Sequence, residues 1–175
     1  LSKMYYSTAV REKVPGIAKK LKEKYMNALL AIITKGDKRE TLKLLSAAAN
    51  EFNEAALDMK VPRIGVVGEI FIKYNGFGNQ HVVDWLVSEG IEPVIPSLIE
   101  FFSQYFPNAK FNRKNNLDNM SIWRRMLNEV LEKALVNLLK DFDKAASSFR
   151  YYEKSADINH EMENAAKIVC PAAQF

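Results

Sequence analysis

A helix-rich α/β fold is what this sequence predicts: a small parallel βαβ unit of Rossmann-like type with a partial sheet, packed by about six helices. Three observations predict it. Residues from Arg63 read R-I-G-V-V-G-E-I, an apolar, β-branched run stopped by Gly68-Glu69, as in a buried parallel strand. A Gly/Asn-rich loop follows, then the helical run Val82, Val83, Trp85, Leu86 and Val87, closed at Gly90. Glu92 to Ile95 then supplies a short second strand, so the crossover should be right-handed.

The elements around this unit are helical. From about Thr8 to Lys35 the apolar residues Ile17, Leu21, Tyr25, Ala28, Leu29 and Ile32 share one stripe, opposite most of the lysines. Pro15-Gly16 interrupts the pattern, so the firm helix starts near Gly16, and Gly36 closes it. Asp37 with Glu40 forms a capping box, opening a helix whose apolar face is Leu42, Leu44, Leu45, Ala48 and Phe52. Asn79 is the expected N-cap of the crossover helix. Ser97 with Glu100 caps another helix, reaching about Tyr105. Residues 107–116 are polar and turn-rich and read as a loop. The longest pattern runs from about Asn119 to Asp143, with Trp123, Met126, Leu127, Val130, Leu131, Ala134, Leu135 and Leu138. A last helix spans about Ser155 to Val169 and stops before Pro171. The segments are thus 1–60 (helical), 61–106 (βαβ) and 107–175 (helical), in one compact domain.

Two strands make a poor sheet alone. An unfinished sheet leaves an edge strand that pairs with other polypeptide or mediates a dimer. Leu1 and Phe175 both look like cuts, which suggests a fragment whose partners are other domains of the same polypeptide.

Open parallel sheets bind ligands at the carboxyl ends of their strands. Here that end carries Gly68, Glu69, Tyr74, Asn75, Gly76, Phe77, Gly78 and Asn79, with Pro96 ending the second strand. Glu69 has two readings of equal weight. It is a polar group in a ligand crevice, active in proton transfer if burial raises its pKa, or it accepts backbone N–H bonds from the Tyr74–Asn79 loop and holds that loop shut. The run G-F-G-N lacks the spacing of either nucleotide-binding glycine motif, so a turn required by geometry outweighs a phosphate site.

Composition bounds the rest. The chain has 175 residues, 48% apolar, with net charge +4. That suffices for one folded core, and no apolar run approaches the ~20 residues of a membrane span. Residues 1–75 hold 14 Lys/Arg against 8 Asp/Glu, so any anionic partner would meet that N-terminal part, although a solvated helix face is the simpler account. Lys110-Phe111-Asn112-Arg113-Lys114 and Trp123-Arg124-Arg125 mix basic and aromatic residues, but two short clusters around a loop do not make a nucleic-acid groove. The lone cysteine, Cys170, excludes an internal disulfide and suits a reducing cytoplasm. As a metal ligand it is a weak candidate, and His81 and His160 lack partners at ligand spacing.

The segment Arg63 to Pro96 resembles the 2-hydroxyacyl-CoA dehydratase superfamily, and within it the dehydratase-like region of large acyl-CoA dehydratase activase-related proteins. Gly68, Glu69, Ile70, Tyr74, Phe77, Asn79, Glu89, Gly90, Glu92 and Pro96 carry the likeness. The Gly36-Asp37-Lys38 turn, the Ala-rich helix after it and the run Ile158 to Val169 agree with it. The resemblance implies Rossmann-like domains with helical additions, and a parent lyase that dehydrates 2-hydroxyacyl-CoA through a [4Fe-4S] cluster, or the associated ATP-dependent activase. Clusters need several thiolates, so the fragment itself would hold no cofactor and supply at most part of an acyl-CoA or cluster pocket. The competing expectation is a non-catalytic interaction or scaffold domain.

Overall fold

The computed structural model describes residues 1–117, 120–154, 160 and 164. It is helix-rich with a small two-stranded parallel sheet, the expected class. The helices are α1 (Ser2–Ala9), α2 (Ile17–Ile33), α3 (Lys38–Ala55), α4 (Ile70–Tyr74), α5 (Val82–Ser88), α6 (Leu98–Ser103), α7 (Tyr105–Lys114) and α8 (Ile122–Ala146). The strands are β1 (Arg63–Gly65) and β2 (Glu92–Val94), paired in parallel with Arg63 opposite Glu92, Ile64 opposite Pro93 and Gly65 opposite Val94. No helix among the described residues is long and apolar enough to cross a membrane.

The chain forms two compact units, Leu1–Pro96 with Asp141–Glu153, and Ser97–Lys140 with Lys154–Phe175. In the first, α1, α2 and α3 pack on one another around Met4, Ala18, Leu21, Tyr25, Ala48, Ala49, Phe52 and Ala55, and Phe149 closes the cluster. Phe52 is fully buried, its ring 6.4 Å from that of Tyr25 on α2, and Ala18, Ala48 and Ala49 are fully buried in the same cluster. Glu12 accepts from the N–H groups of Gly16 (2.5 Å) and Ala18 (2.9 Å), capping α2 where Pro15-Gly16 broke the pattern. Asp37 accepts from the Glu40 N–H (3.0 Å), as a cap should, but Glu40 turns to Lys43 (2.8 Å), so only half of the capping box forms. Asn53 grips the returning chain, donating to Ser148 O (2.7 Å) and accepting from Arg150 N (2.7 Å).

Both α1 and α5 pack on β2. Glu92 of β2 is only 5% exposed, and its carboxylate meets Arg11 Nη2 (2.8 Å), the Ser7 hydroxyl (2.6 Å) and Arg63 Nε (3.5 Å). Arg11, 4% exposed, also donates to Met59 O (2.9 Å) and Ser7 O (2.7 Å), and lies over the Tyr151 ring at 4.2 Å. A buried ion pair needs such added hydrogen bonds to offset its desolvation. This clasp ties the end of α1 to the sheet, and Arg63 extends it to Glu153 (2.6 Å).

Several expected elements change. The first strand stops at Gly65 rather than Glu69, and Ile70–Tyr74 is a helical turn, because Gly68 (φ +143°) bends the backbone and Glu69 starts a helix. Residues 107–116 are not a loop: Tyr105–Lys114 is helical, and Pro107 sits in its first turn, where no N–H is needed. Ser2–Ala9 forms a separate helix before the Pro15-Gly16 break. His81, not Asn79, occupies the N-cap position of the crossover helix, and its side chain makes no capping hydrogen bond. The expected helix 155–169 and the Glu100 side chain of the second capping box lie outside what is described.

In the second unit, α7 and α8 are linked by Lys110–Glu132 (2.6 Å) and by Asn128, which donates to the Tyr105 hydroxyl (3.3 Å). The partly covered residues Arg125, Asn128, Glu132, Leu135 and Leu139 recur at helical spacing. Trp123, Met126, Leu127, Val130 and Leu131, the more apolar stripe, are exposed.

Candidate functional site at the carboxyl ends of the strands

The site grows from the turn after β1. Gly68 adopts a φ that L side chains rarely reach, and this reverses the chain into α4. Glu69 precedes the helix with extended backbone, and its carboxylate accepts from Phe71 N (2.8 Å) and Ile72 N (3.3 Å). Glu69 is exposed, and one carboxylate oxygen, Oε2, takes both bonds from the first turn of its own helix. The backbone partners are Phe71 and Ile72, ahead of the Tyr74–Asn79 loop.

That loop is held by its own asparagines. Asn75 Oδ1 accepts from Phe77 N (3.0 Å) and Gly78 N (3.1 Å), a side-chain-built turn. Asn79 N bonds Asn75 O (3.0 Å), and His81 N bonds Gly76 O (2.7 Å). A Cβ at Gly76 would come within 3.2 Å of the His81 ring, so this glycine is set by close packing. The Tyr74 hydroxyl donates to Pro96 O, joining the loop to the end of β2. Sequence-predicted Gly68, Glu69, Tyr74–Asn79 and Pro96 therefore occupy one connected turn system at the strand ends.

Two details there were not legible beforehand. Asn79 Nδ2 donates to Ile72 O (3.1 Å), while Asn79 Oδ1 is buried with no hydrogen-bond donor among the described residues. Gln80 (φ +53°) and His81 (φ +56°) both take the left-handed conformation, an uncommon state for non-glycine residues. His81 Nδ1 lies 3.3 Å from Asp84 Oδ2, on the exposed first turn of α5.

The site is framed by exposed apolar groups. All of β1 is exposed, Val67 is 83% exposed and Phe77 88%, and Phe71 and Ile72 are open as well. The hydrogen bonds Glu92 N to Pro62 O and Val66 N to Val94 O aim positions 62 and 66 at β2. Strand alternation then aims the backbone groups of Arg63 and Gly65 away from it, at an edge that no other described strand pairs.

Sequence reasoning passed over the Arg11–Glu92 clasp. Arg11 lies in the basic N-terminal part and Glu92 in a strand; a charged residue inside an otherwise apolar strand is the available signal. The Arg63 guanidinium holds the Glu153 carboxyl below its ordinary range, and Glu153 in turn raises Arg63. Among the described residues no group of three His, Cys, Asp or Glu is placed to hold a metal ion. His160 is exposed and shares a 3.1 Å contact between its Nε2 and Asn164 Nδ2; Cys170 lies outside the described residues. Comparison with family models, curated proteins and solved structures finds no match to this chain.

Proposed function

We propose that this chain is a non-catalytic docking module whose βαβ unit is completed by another domain of the same polypeptide. The observation that supports it most is the open side of β1: an exposed strand with outward backbone groups at Arg63 and Gly65, flanked by Val67, Phe71 and Phe77. An edge of this kind templates strand addition, and apolar residues around it favour a covering surface. Glu69 lends partial support, because one of its two carboxylate oxygens, Oε2, accepts from the Phe71 and Ile72 N–H groups. A second copy of the chain is the alternative occupant. Antiparallel pairing centred on Ile64 would set Arg63 opposite Gly65 of the mate and match their outward groups.

The parent protein in this reading is a 2-hydroxyacyl-CoA dehydratase or its ATP-dependent activase, in the cytoplasm. Support comes from the residues between Gly68 and Pro96 and from the helix-rich α/β fold. A [4Fe-4S] cluster does not fit this chain's own donors, since one cysteine cannot supply the thiolates such clusters need.

A second reading, part of an acyl-CoA pocket, is favoured by the Asn79–His81 stretch. A buried acceptor with no donor among the described residues and two adjacent left-handed residues are features that gather at ligand sites. In that reading Asn79 Oδ1 accepts from the ligand, and Glu69 fixes the turn that presents it.

Sedimentation velocity over a wide concentration range tests the docking reading, with Ile64→Lys as the variant. A monomer that gains affinity for the adjoining domains supplied as a separate polypeptide, and loses it in Ile64→Lys, supports the proposal. Concentration-dependent dimers abolished by the same substitution favour the second copy. Unchanged binding in Ile64→Lys rejects the β1 edge.

A further inference from the structure

The basic clusters Lys110–Lys114 and Trp123–Arg125 find no role in the docking reading, and the second unit brings members of both to one cavity. It measures about 50 Å³, several times the roughly 10–15 Å³ that one water requires. Arg113 and Arg125 line it, with Lys110, Glu129 and Glu132. Arg125 is half-buried, and its Nε–H is shielded from solvent and has no acceptor among the described residues. Shielded donors of this kind are rarely left without an acceptor. Among the described lining residues three cations, Lys110, Arg113 and Arg125, face two carboxylates, Glu129 and Glu132, with Lys110 meeting Glu132 at 2.6 Å. Phe106, Ala109 and Met120 form the apolar wall.

We infer that this cavity is a binding site for a carboxylate carried on a short apolar stem. The planar guanidinium fork of Arg125 matches a carboxylate, which would supply the acceptor that its Nε–H lacks. The residual single positive charge suits a monoanion better than a phosphate dianion. The apolar wall takes the stem. A single-stranded nucleic acid, which pairs aromatic stacking with a phosphate-lined groove, would use the exposed Trp123, which does not line this cavity.

Amide-resolved NMR titration with butyrate tests the site, with inorganic phosphate and a short oligothymidylate as separate arms. Saturable shifts confined to Phe106, Ala109 and residues 125–132 are expected, with affinity of about millimolar for so small a ligand. Arg125→Leu should abolish them, and Arg125→Lys should weaken them despite keeping the charge. Glu129→Gln should tighten binding roughly fivefold, the scale of one partly screened charge. Absence of butyrate shifts, equal shifts with phosphate, oligothymidylate shifts centred on Trp123, or an Arg125→Leu variant that still binds would each overturn the assignment.

Discussion

Removing the Glu92 carboxylate should be among the most costly single changes in the first unit. Its side chain and that of Arg11 are 6% and 3% exposed, so the ion pair is out of water. Breaking a buried pair by deleting one partner costs about 3–5 kcal/mol, because the other charge stays buried. In Glu92→Ala, Arg11 keeps Met59 O, Ser7 O and the Tyr151 face, which puts the loss near the lower figure. In Arg11→Ala, Glu92 keeps the Ser7 hydroxyl and a 3.5 Å approach from Arg63, but those two carbonyls lose their donor. The order of loss should therefore be Arg11→Ala above Glu92→Ala. With a urea slope of about 2 kcal/mol/M, 3 kcal/mol moves the midpoint down by about 1.5 M. Urea melts followed by far-ultraviolet circular dichroism read this directly. Lys24→Ala, which breaks the exposed pair with Glu51, is the control and should cost under about 1 kcal/mol. The double change Arg11→Met with Glu92→Leu should recover only part of the loss, because it removes the unpaired buried charge but leaves Met59 O, Ser7 O and the Ser7 hydroxyl without these partners. If Glu92→Ala shifted the midpoint no more than Lys24→Ala, the clasp would not organise the fold.

Thr8 is fully buried and its hydroxyl finds no partner among the described residues, so Thr8→Val should raise stability by about 1 kcal/mol in the same melts. Phe52→Ala should cost about 3–5 kcal/mol through the cavity it opens between α2 and α3. Glu69→Ala should leave global stability nearly unchanged while hydrogen exchange at Phe71 and Ile72 speeds up, a local cap loss of about 1 kcal/mol. Glu51 and Glu153 titrate below their ordinary value of 4.5, held there by hydrogen bonds from Lys24 and Arg63. Their folded state binds protons less readily than the unfolded chain, so their stabilisation is present above pH 4.5 and lost as pH falls below it. Burial and Glu51 push Tyr25 up to about 12, so its contribution is present below pH 10 and fades between 10 and 12. Melting temperatures across both windows check the two signs.

The fold was legible where local chemistry and long-range packing agree. The Asp37 cap, the Pro15-Gly16 break and the parallel pairing of Arg63–Gly65 with Glu92–Val94 all follow from residue type and spacing. It was illegible where a residue has two uses. Pro107 and the surrounding asparagines signal a turn, yet proline is tolerated in a first helical turn, and α7 forms. The β-branched run Val66-Val67 signals strand, yet Gly68 and the Glu69 cap end it early. The site followed the same division. The glycines and asparagines between Gly68 and Asn79 marked the turn system, because their backbone needs are local. The Arg11–Glu92 pair joins positions far apart in sequence, and no periodicity connects an arginine after one helix to a glutamate in a strand.

The central claim is that β1 offers an open edge to another polypeptide. Residue-resolved hydrogen exchange of the dilute, monomeric chain tests it most directly. Ile64 and Val66, whose amides face β2, should be protected, while Arg63 and Gly65 exchange at rates near those of an exposed strand. Adding the adjoining domains should slow Arg63 and Gly65 and leave Ile64 and Val66 as they were. Protection at Arg63 and Gly65 in the monomer alone would mean that the edge is already closed, and would contradict the claim.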